Sequence, residues 1–364
     1  VSALILRDLS LRDFRNFSEL STGFGSNASF LIGPNGQGKT SILEAIAYPA
    51  ALRSFRGADT RSLIRHGARE TVLRMTWEGS QGSRSIAFRL RPGSRVALVD
   101  DSPVERITEV IGLFPSVVLS SHDLGLVRGS PSDRRRFLDL LLSILVPGYL
   151  QNLQHYQRAL AGRNSLLKLG PEAPELQSQL ESFERPLARS AAALCAARAA
   201  WIPTLAAETA GHVTRFASWP EPVRVEWHVR TNSPSPEAWL EKYRSTRARD
   251  LAIGATSSGP HRDDLLLFLG RHLADSHASE GQQRSIVLAL KLAQFSLLRA
   301  ATRETPVLLA DDVLGELDPD RRTRFWEALP SDTQVIATGT TLPPDSSLPK
   351  WQVRHIHNGT VSPA

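Results

Sequence analysis

Residues 33 to 40 read Gly33-Pro34-Asn35-Gly36-Gln37-Gly38-Lys39-Thr40, a G-x-x-x-x-G-K-[ST] pattern. Glycines at these spacings let successive backbone N–H groups turn inward around an anion, and a helix starting behind them adds the partial positive charge of its N-terminus. Lys39 brings a cation to the outer phosphates of a nucleotide and Thr40 offers a hydroxyl to Mg²⁺, and with Ser41, where the helical run begins, residues 33–41 make up the expected nucleotide-binding set. Shuffling a chain of this composition produces the pattern in roughly 3 of 1000 cases. The apolar run Ala28 to Ile32 in front and the helical run Ser41 to Ala47 behind provide the strand–loop–helix context that makes it a phosphate loop. Much later, Val307-Leu308-Leu309-Ala310 runs into Asp311-Asp312. Four apolar residues ending in two acids describe a buried parallel strand with carboxylates at its C-terminal edge, where open α/β sheets bind ligands. Neighbouring strand residues point opposite ways, so the acids divide the work: Asp311 joins Thr40 in the Mg²⁺ shell, and Asp312, the catalytic partner of Lys39, polarises an attacking water. An acidic pair alone is a common strand-ending turn. Paired with Lys39 it calls for ATP and Mg²⁺ as cofactors.

These two motifs stand 272 positions apart in a chain of 364 residues, so the chain must leave the nucleotide domain and return to it. The fold class expected is α/β, a phosphate-loop NTPase whose ATPase lobe is split in sequence and includes an antiparallel β part, with a mainly helical lobe inserted. The boundaries are 1–115 for the first part of the ATPase lobe, 116–255 for the insert and 256–364 for the second part. Strand patterns fall at Leu4 to Leu6, Ala28 to Ile32, Thr71 to Trp77, Arg84 to Arg91, Val96 to Val99, Pro306 to Ala310 and Gln334 to Thr338, and Pro319 to Leu329 reads as a helix. Helical spacing dominates from about Pro131 to Phe216, and Pro186 and Pro203 are expected to kink or end helices there. Cys195, the one cysteine, excludes an internal disulfide framework, a Cys-rich zinc site and an iron–sulfur cluster, and fits a reducing cytosol. Arg7, Asp8, Arg12 and Asp13 interrupt the place of a signal-peptide core, and no 18-residue uncharged apolar run exists, so the expectation is a cytoplasmic protein without a membrane segment.

A third motif is Ser279-Glu280-Gly281-Gln282-Gln283-Arg284, leading into the helical run Ser285 to Leu298. At the least, Ser279 and Gln282 form a capping box. A serine, a glycine and backbone donors at a helix start also make an anion site, useful for a γ-phosphate held by another subunit. Phosphate loop, S-x-G-Q element and Asp-Asp strand in this order resemble the ATP-binding-cassette superfamily, and within it the DNA-repair branch. Leu11 to Phe17, Arg53 to Arg56, Gly129 to Asp139 and Gly259 to Asp264 resemble hallmarks of the RecF family of bacterial recombination mediators. The resemblance implies a head-to-tail homodimer formed with ATP, in which Ser279, Gly281 and Gln282 act in trans and Glu316-Leu317-Asp318 is the dimer-contact loop. It also implies DNA binding with little sequence preference, slow hydrolysis, and work with RecO and RecR in loading RecA at gapped DNA. Asp312 is one methylene shorter than the Glu of many transporters, and Thr338-Gly339-Thr340 replaces a phosphate-sensing His. His122 and Asp123 lie where a Gln would watch the Mg²⁺, without an assigned role; a lone His such as His122 or His261 is more often structural.

The basic side chains are 38 arginines and five lysines, and net charge splits as +4, +4 and −2 over residues 1–115, 116–255 and 256–364. The densest basic stretch, Arg53 to Arg74, supplies Arg53, Arg56, Arg61 and Arg65 as the arginines assigned to DNA phosphates, with a second cluster at Lys242, Arg244, Arg247 and Arg249. Either cluster can equally be a solvated face. Arg134 to Arg136 read as lobe-packing or dimer-rim groups. Four functions remain in competition: an ATP-switched DNA clamp, a transporter-type ATPase subunit, a structural-maintenance-type ATPase with arms too short for that task, and a scaffold that binds ATP without hydrolysing it.

Overall fold

A computed structural model describes the chain except residues 26–27, 58, 172–174, 217–218, 232, 343–349, 358 and 364. It divides into two compact units, one made of residues 1–124, 212–218 and 287–364, the other of residues 125–211 and 219–286. These boundaries differ from the expected 115/116 and 255/256. Ser116–Ser120 is a strand that pairs in parallel with Val307–Asp311, which ties the segment up to residue 124 to the first unit. Residues 256–286 carry the strand Asp264–Leu269, whose partner is Val223–His228, and so belong to the second unit.

The first unit contains two six-stranded sheets. One is parallel apart from its final edge strand, in the order Thr360–Pro363, Gln352–His357, Ser29–Ile32, Val335–Gly339, Val307–Asp311, Ser116–Ser120. Ser29–Ile32, Val335–Gly339 and Val307–Asp311 are the expected short apolar runs, buried on both faces as parallel strands require. The other sheet is antiparallel, running Phe17–Gly23, Ile5–Phe14, Thr71–Gly79, Gly82–Arg91, Ser94–Val99, Ser102–Pro103. Its strands alternate buried and exposed residues, as in Ile5–Phe14, where Leu9, Leu11 and Phe14 face inward. Between them the core collects Leu9, Leu11 and Phe14 from one sheet, Leu31, Leu309 and Ile336 from the other, and Ile42, Leu43 and Ile46 from the helix Lys39–Ala51. Gln334, fully buried, pins the layers: its side-chain oxygen accepts the N–H of Leu6 at 2.8 Å, and its amide donates to the carbonyls of Leu6 and Gly25.

The second unit is mainly helical, with a three-stranded antiparallel sheet of Val223–His228, Asp264–Leu269 and His272–Leu273. The longest helix, Leu176–Phe216, runs through both Pro186 and Pro203 over 41 residues, so neither proline ends it. The reason lies in where the prolines face. Pro186 and Pro203 are exposed, and so are Ser182 and Ala199, the residues four positions earlier whose carbonyls lose their N–H partner. Those carbonyls belong to exposed residues, where solvent can reach them, while Leu180, Leu187, Ala191, Leu194 and Leu205 stay buried along the opposite stripe. This helix and Glu280–Thr302 are long and apolar enough to cross a bilayer by length, and 67% of the apolar window of the second is buried inside the molecule, as in a core helix. Burial pushes the Cys195 thiol up to about 12, so it is an inert packing group.

Charged groups are unusually deep in this unit. Arg163, fully buried, donates to Glu184 at 3.1 Å and to Asp250 and Thr256 at 2.8 and 2.9 Å. Replacing Arg163 with Met removes the shared cation and leaves two buried carboxylates undercompensated, so urea unfolding should show a loss of about 3–5 kcal/mol. A loss below about 1 kcal/mol would mean that the pair is not what holds these helices together.

Candidate nucleotide-binding site

The loop between the strand Ser29–Ile32 and the helix Lys39–Ala51 closes on itself through Lys39, whose ammonium donates to the carbonyls of Gly33 at 2.7 Å and Pro34 at 2.9 Å. Burial lowers the lysine's proton affinity, opposed by the negative charges of Asp312 and Asp311. Gly38 has φ +107°, and a Cβ there would lie 2.5 Å from Cζ of Phe17 and 2.7 Å from Nδ2 of Asn16, so only glycine lets the loop close against the turn between the first two antiparallel strands. Asn16 secures that approach by donating to the carbonyl of Gln37 at 3.1 Å. Gly36, at φ +80°, faces open space. The loop is thus shaped by close packing on one side and left free on the other, where an anion would meet its N–H groups and the start of the helix. These residues fit a nucleotide's phosphates.

The acidic strand stands beside it. In the parallel sheet Asp311 is level with Thr338 on one neighbour and Ser120 on the other. Oδ1 of Asp311 accepts the hydroxyls of Thr40 and Thr338, both at 2.9 Å. Thr338 Oγ1 also accepts the N–H of Asp312 at 3.1 Å. Burial pushes the Asp311 carboxyl above its usual range, the hydroxyls of Thr40 and Thr338 pull it back, the charge of Asp312 raises it and that of Arg56 lowers it. An oxygen donor set of carboxylate and hydroxyl at the mouth of a phosphate loop suits a hard divalent cation such as Mg²⁺. Asp312 sits in the left-handed backbone region at φ +57° and lines the cavity wall, which Asp311 does not. Thr338 was left without a role by the sequence; its bonds to both aspartates show it as the bracket between the two acids. The only sequence signal for this was its place at the end of the next parallel strand.

A cavity of about 1180 Å³ opens over these groups. Asn35, Gly36, Gly38, Lys39, Thr40, Ser41, Asp312 and Thr338 line it, together with Arg15, Asn16, Arg56, Arg61, Arg65, His66 and Arg69. Three of the four arginines assigned to DNA therefore stand around the nucleotide cavity. Asp59 caps the short helix Thr60–Leu63, the bridge Phe14–Ile64 ties its end to the antiparallel sheet, and Arg65 pairs with Asp13 at 2.7 Å, which together bend the basic stretch toward the phosphate loop. Arg53 is exposed and does not line the cavity. In the other basic cluster, Arg244 and Arg247 are engaged by Glu181 and Glu184.

The remaining sequence-selected residues take local roles. Ser279 and Gln282 form the capping box of the helix Glu280–Thr302: the side-chain oxygen of Gln282 accepts the N–H of Ser279 at 2.8 Å, and Ser279 Oγ accepts that of Gln282 at 3.3 Å. Ser279, Gly281 and Gln282 lie in the second unit and do not line the cavity of the first. Asp318 caps the helix Pro319–Glu327 by accepting the N–H of Arg321 at 2.9 Å. Asp123 accepts the N–H of Ser120 at 2.7 Å and pairs with Lys291 at 3.3 Å, while His122 is exposed. His261 bonds the Tyr156 hydroxyl at 2.5 Å, and burial lowers its pKa to about 4, the structural histidine that its isolation in sequence suggested. Arg134 forks onto Asp264 at 2.8 and 2.7 Å and Arg135 donates to the carbonyl of Asp263, so these two arginines pack the second unit internally.

With that geometry in view, the similarities of the chain to known proteins agree with one another. A curated "DNA replication and repair protein RecF" from Lactobacillus gasseri is 34% identical over 370 residues, covering 99% of both chains. One from Anaeromyxobacter is 36% identical, covering 98% of this chain and 99% of the relative. Among solved structures, the recombination mediator protein RecF–ATP in the RecFOR pathway superposes with a TM-score of 0.91 at 26% identity, over 100% of this chain and 98% of that one. The fold is that of a RecF- and SMC-like ATP-binding-cassette ATPase. Residues 5–342 match the model of the RecF/RecN/SMC N-terminal domain, and the chain belongs to that family, on its RecF branch.

Proposed function

We propose that this protein is an ATP-switched DNA-binding protein of recombinational DNA repair and replication. The observation that carries the reading is the triangle of Thr40, Asp311 and Thr338 set against the phosphate loop, which assembles a triphosphate and cation site from both ends of the chain. Lys39 reaches the outer phosphates once its own carbonyl contacts are exchanged for theirs. Thr40 and Asp311 would hold Mg²⁺, which would supply charge neutralisation at the phosphates. Asp312 orients the attacking water and accepts its proton; its short side chain makes turnover slow, so ATP acts as a conformational switch more than as fuel.

The same reading makes the protein a homodimer in its ATP state. Ser279, Gly281 and Gln282 of one subunit meet the γ-phosphate on the other, and Asp318 lies in the dimer-contact loop. DNA, gapped or duplex, stimulates hydrolysis, and release of the dimer follows. The relatives' name and the RecFOR pathway of the solved relative support work on DNA beside RecO and RecR; a cytosolic location and the loading of RecA belong to the same reading. With Arg56, Arg61 and Arg65 at the nucleotide, DNA contact falls to other arginines, Arg53 among the sequence choices.

Sedimentation with and without ATP and duplex DNA over a salt series tests this. The wild type should dimerise with ATP and lose DNA with rising salt. Lys39→Met should remain monomeric with no ATP bound, and Ser279→Arg should bind ATP and remain monomeric. ATP-independent dimers of wild type or ATP-dependent dimers of Ser279→Arg would refute the trans arrangement. Asp312→Asn should accumulate a long-lived ATP dimer on DNA; if it instead turns ATP over at the wild-type rate, the attacking water is oriented by another group.

A further inference from the structure

Two of the sequence stretches, Leu11 to Phe17 and Arg53 to Arg56, are joined by one buried carboxylate. Glu44 lies on the phosphate-loop helix five residues after Lys39 and is fully buried. It accepts the fork of Arg15, Nε at 2.8 Å and Nη2 at 2.6 Å, and it accepts the hydroxyl of Ser54. Ser54 Oγ in turn accepts the backbone N–H of Arg56 at 3.0 Å. Arg15 continues outward, donating Nη1 to the carbonyl of Ser62 and its backbone N–H to that of Leu63, both at 2.8 Å. Its neighbour Asn16 holds the phosphate loop at Gln37.

Packing alone does not ask for this arrangement. An apolar residue at position 44 would suit the buried helix among Leu43, Ala45 and Ile46 without the cost of desolvating a charge. The turn that delivers Arg15 is also strained, with Asp13 and Arg15 both in the left-handed backbone region at φ +51° and +54°, a conformation that persists when its surroundings hold it. What the carboxylate joins are three segments that each border the nucleotide cavity: the phosphate loop, the Arg15–Asn16 turn and the loop ending in Arg56.

We propose that Glu44 is a positioning residue of the ATPase reaction: through Ser54 it sets the backbone of Arg56, and through Arg15 the facing turn, so that the Arg56 cation is held at the cavity wall that Lys39 and Asp312 also line. Arg56 is long and exposed, and it lines the cavity together with Lys39, Thr40 and Asp312. Glu44 never touches the nucleotide; it acts by fixing the group that faces it. This rests on the ATPase reading.

The test is steady-state ATP hydrolysis with Mg²⁺, alongside binding of a fluorescent ATP analogue, for the full chain. Glu44→Gln, which keeps the side-chain volume, should bind the analogue within about threefold of wild type and lose at least about tenfold in kcat. In an Arg56→Ala background the same substitution should change kcat by less than about twofold, since its target is gone. Ser54→Ala, which spares the Arg15 fork, should lower kcat with binding retained, and it answers the question if Glu44→Gln does not fold. Unchanged kcat in Glu44→Gln or in Ser54→Ala, or an undiminished effect without Arg56, overturns the proposal. Wild-type protein lacking turnover that Lys39→Met removes would overturn the ATPase reading itself, an outcome separate from these.

Discussion

The hydrogen bond from Thr40 to Asp311 joins residues 271 positions apart, and the first unit is organised around making it possible. Thr40 lies in the first turn of a helix whose start is set by the phosphate loop; Asp311 ends a strand two places away in the same parallel sheet, with the strand of Thr338 between them. A parallel sheet brings the C-terminal ends of its strands to one edge, so loops and acids that follow those strands collect there whatever their order in the chain. The antiparallel sheet and its buried Gln334 contacts then fix the layer beneath, and the turn at Arg15 and Asn16 brings that layer's edge onto the loop. Long-range assembly of this kind orders many residues before the site exists, which is the physical reason that so much of the unit is fully buried core.

Charge is used in two ways in this molecule. In the second unit arginines are sequestered: Arg163 with Glu184 and Asp250, Arg198 with Asp139 and the Tyr149 hydroxyl, Arg134 with Asp264. Groups so deep are costly unless paired, and when paired they select one packing of helices over others. In the first unit the arginines of the 56–69 stretch stay at a cavity wall, where an anion can complete them. The count of arginines in the sequence is blind to this division, which is why the basic stretch read as a DNA face, whereas in the structure most of it lines the cavity over the phosphate loop.

Much of the fold was legible in local pattern. The phosphate loop, the two-faced apolar strands around it, the acidic strand and the capped helix at Ser279 are all short-range signals, fixed by backbone needs that a few neighbouring residues express. The unit boundaries were less so, because Ser116–Ser120 was not among the strand patterns read from the sequence, and its pairing with Val307–Asp311 tells which unit it serves. The helix through Pro186 and Pro203 was hidden for a related reason: proline removes a hydrogen bond locally, and whether that matters depends on which face meets water.

The sequence by itself determined the chemistry, since a loop of glycines ending in Lys39 and Thr40 and a strand ending in two aspartates have few uses besides holding a triphosphate and its cation. Tertiary structure alone decided the company these residues keep. That Thr338 brackets the two acids, that Glu44 gathers Arg15 and Ser54, and that Arg56, Arg61 and Arg65 border the cavity follow from sheet register and from a strained turn. Contacts of that range carry no periodic or local signature in the chain, because they are set by which strands become neighbours once the core has closed.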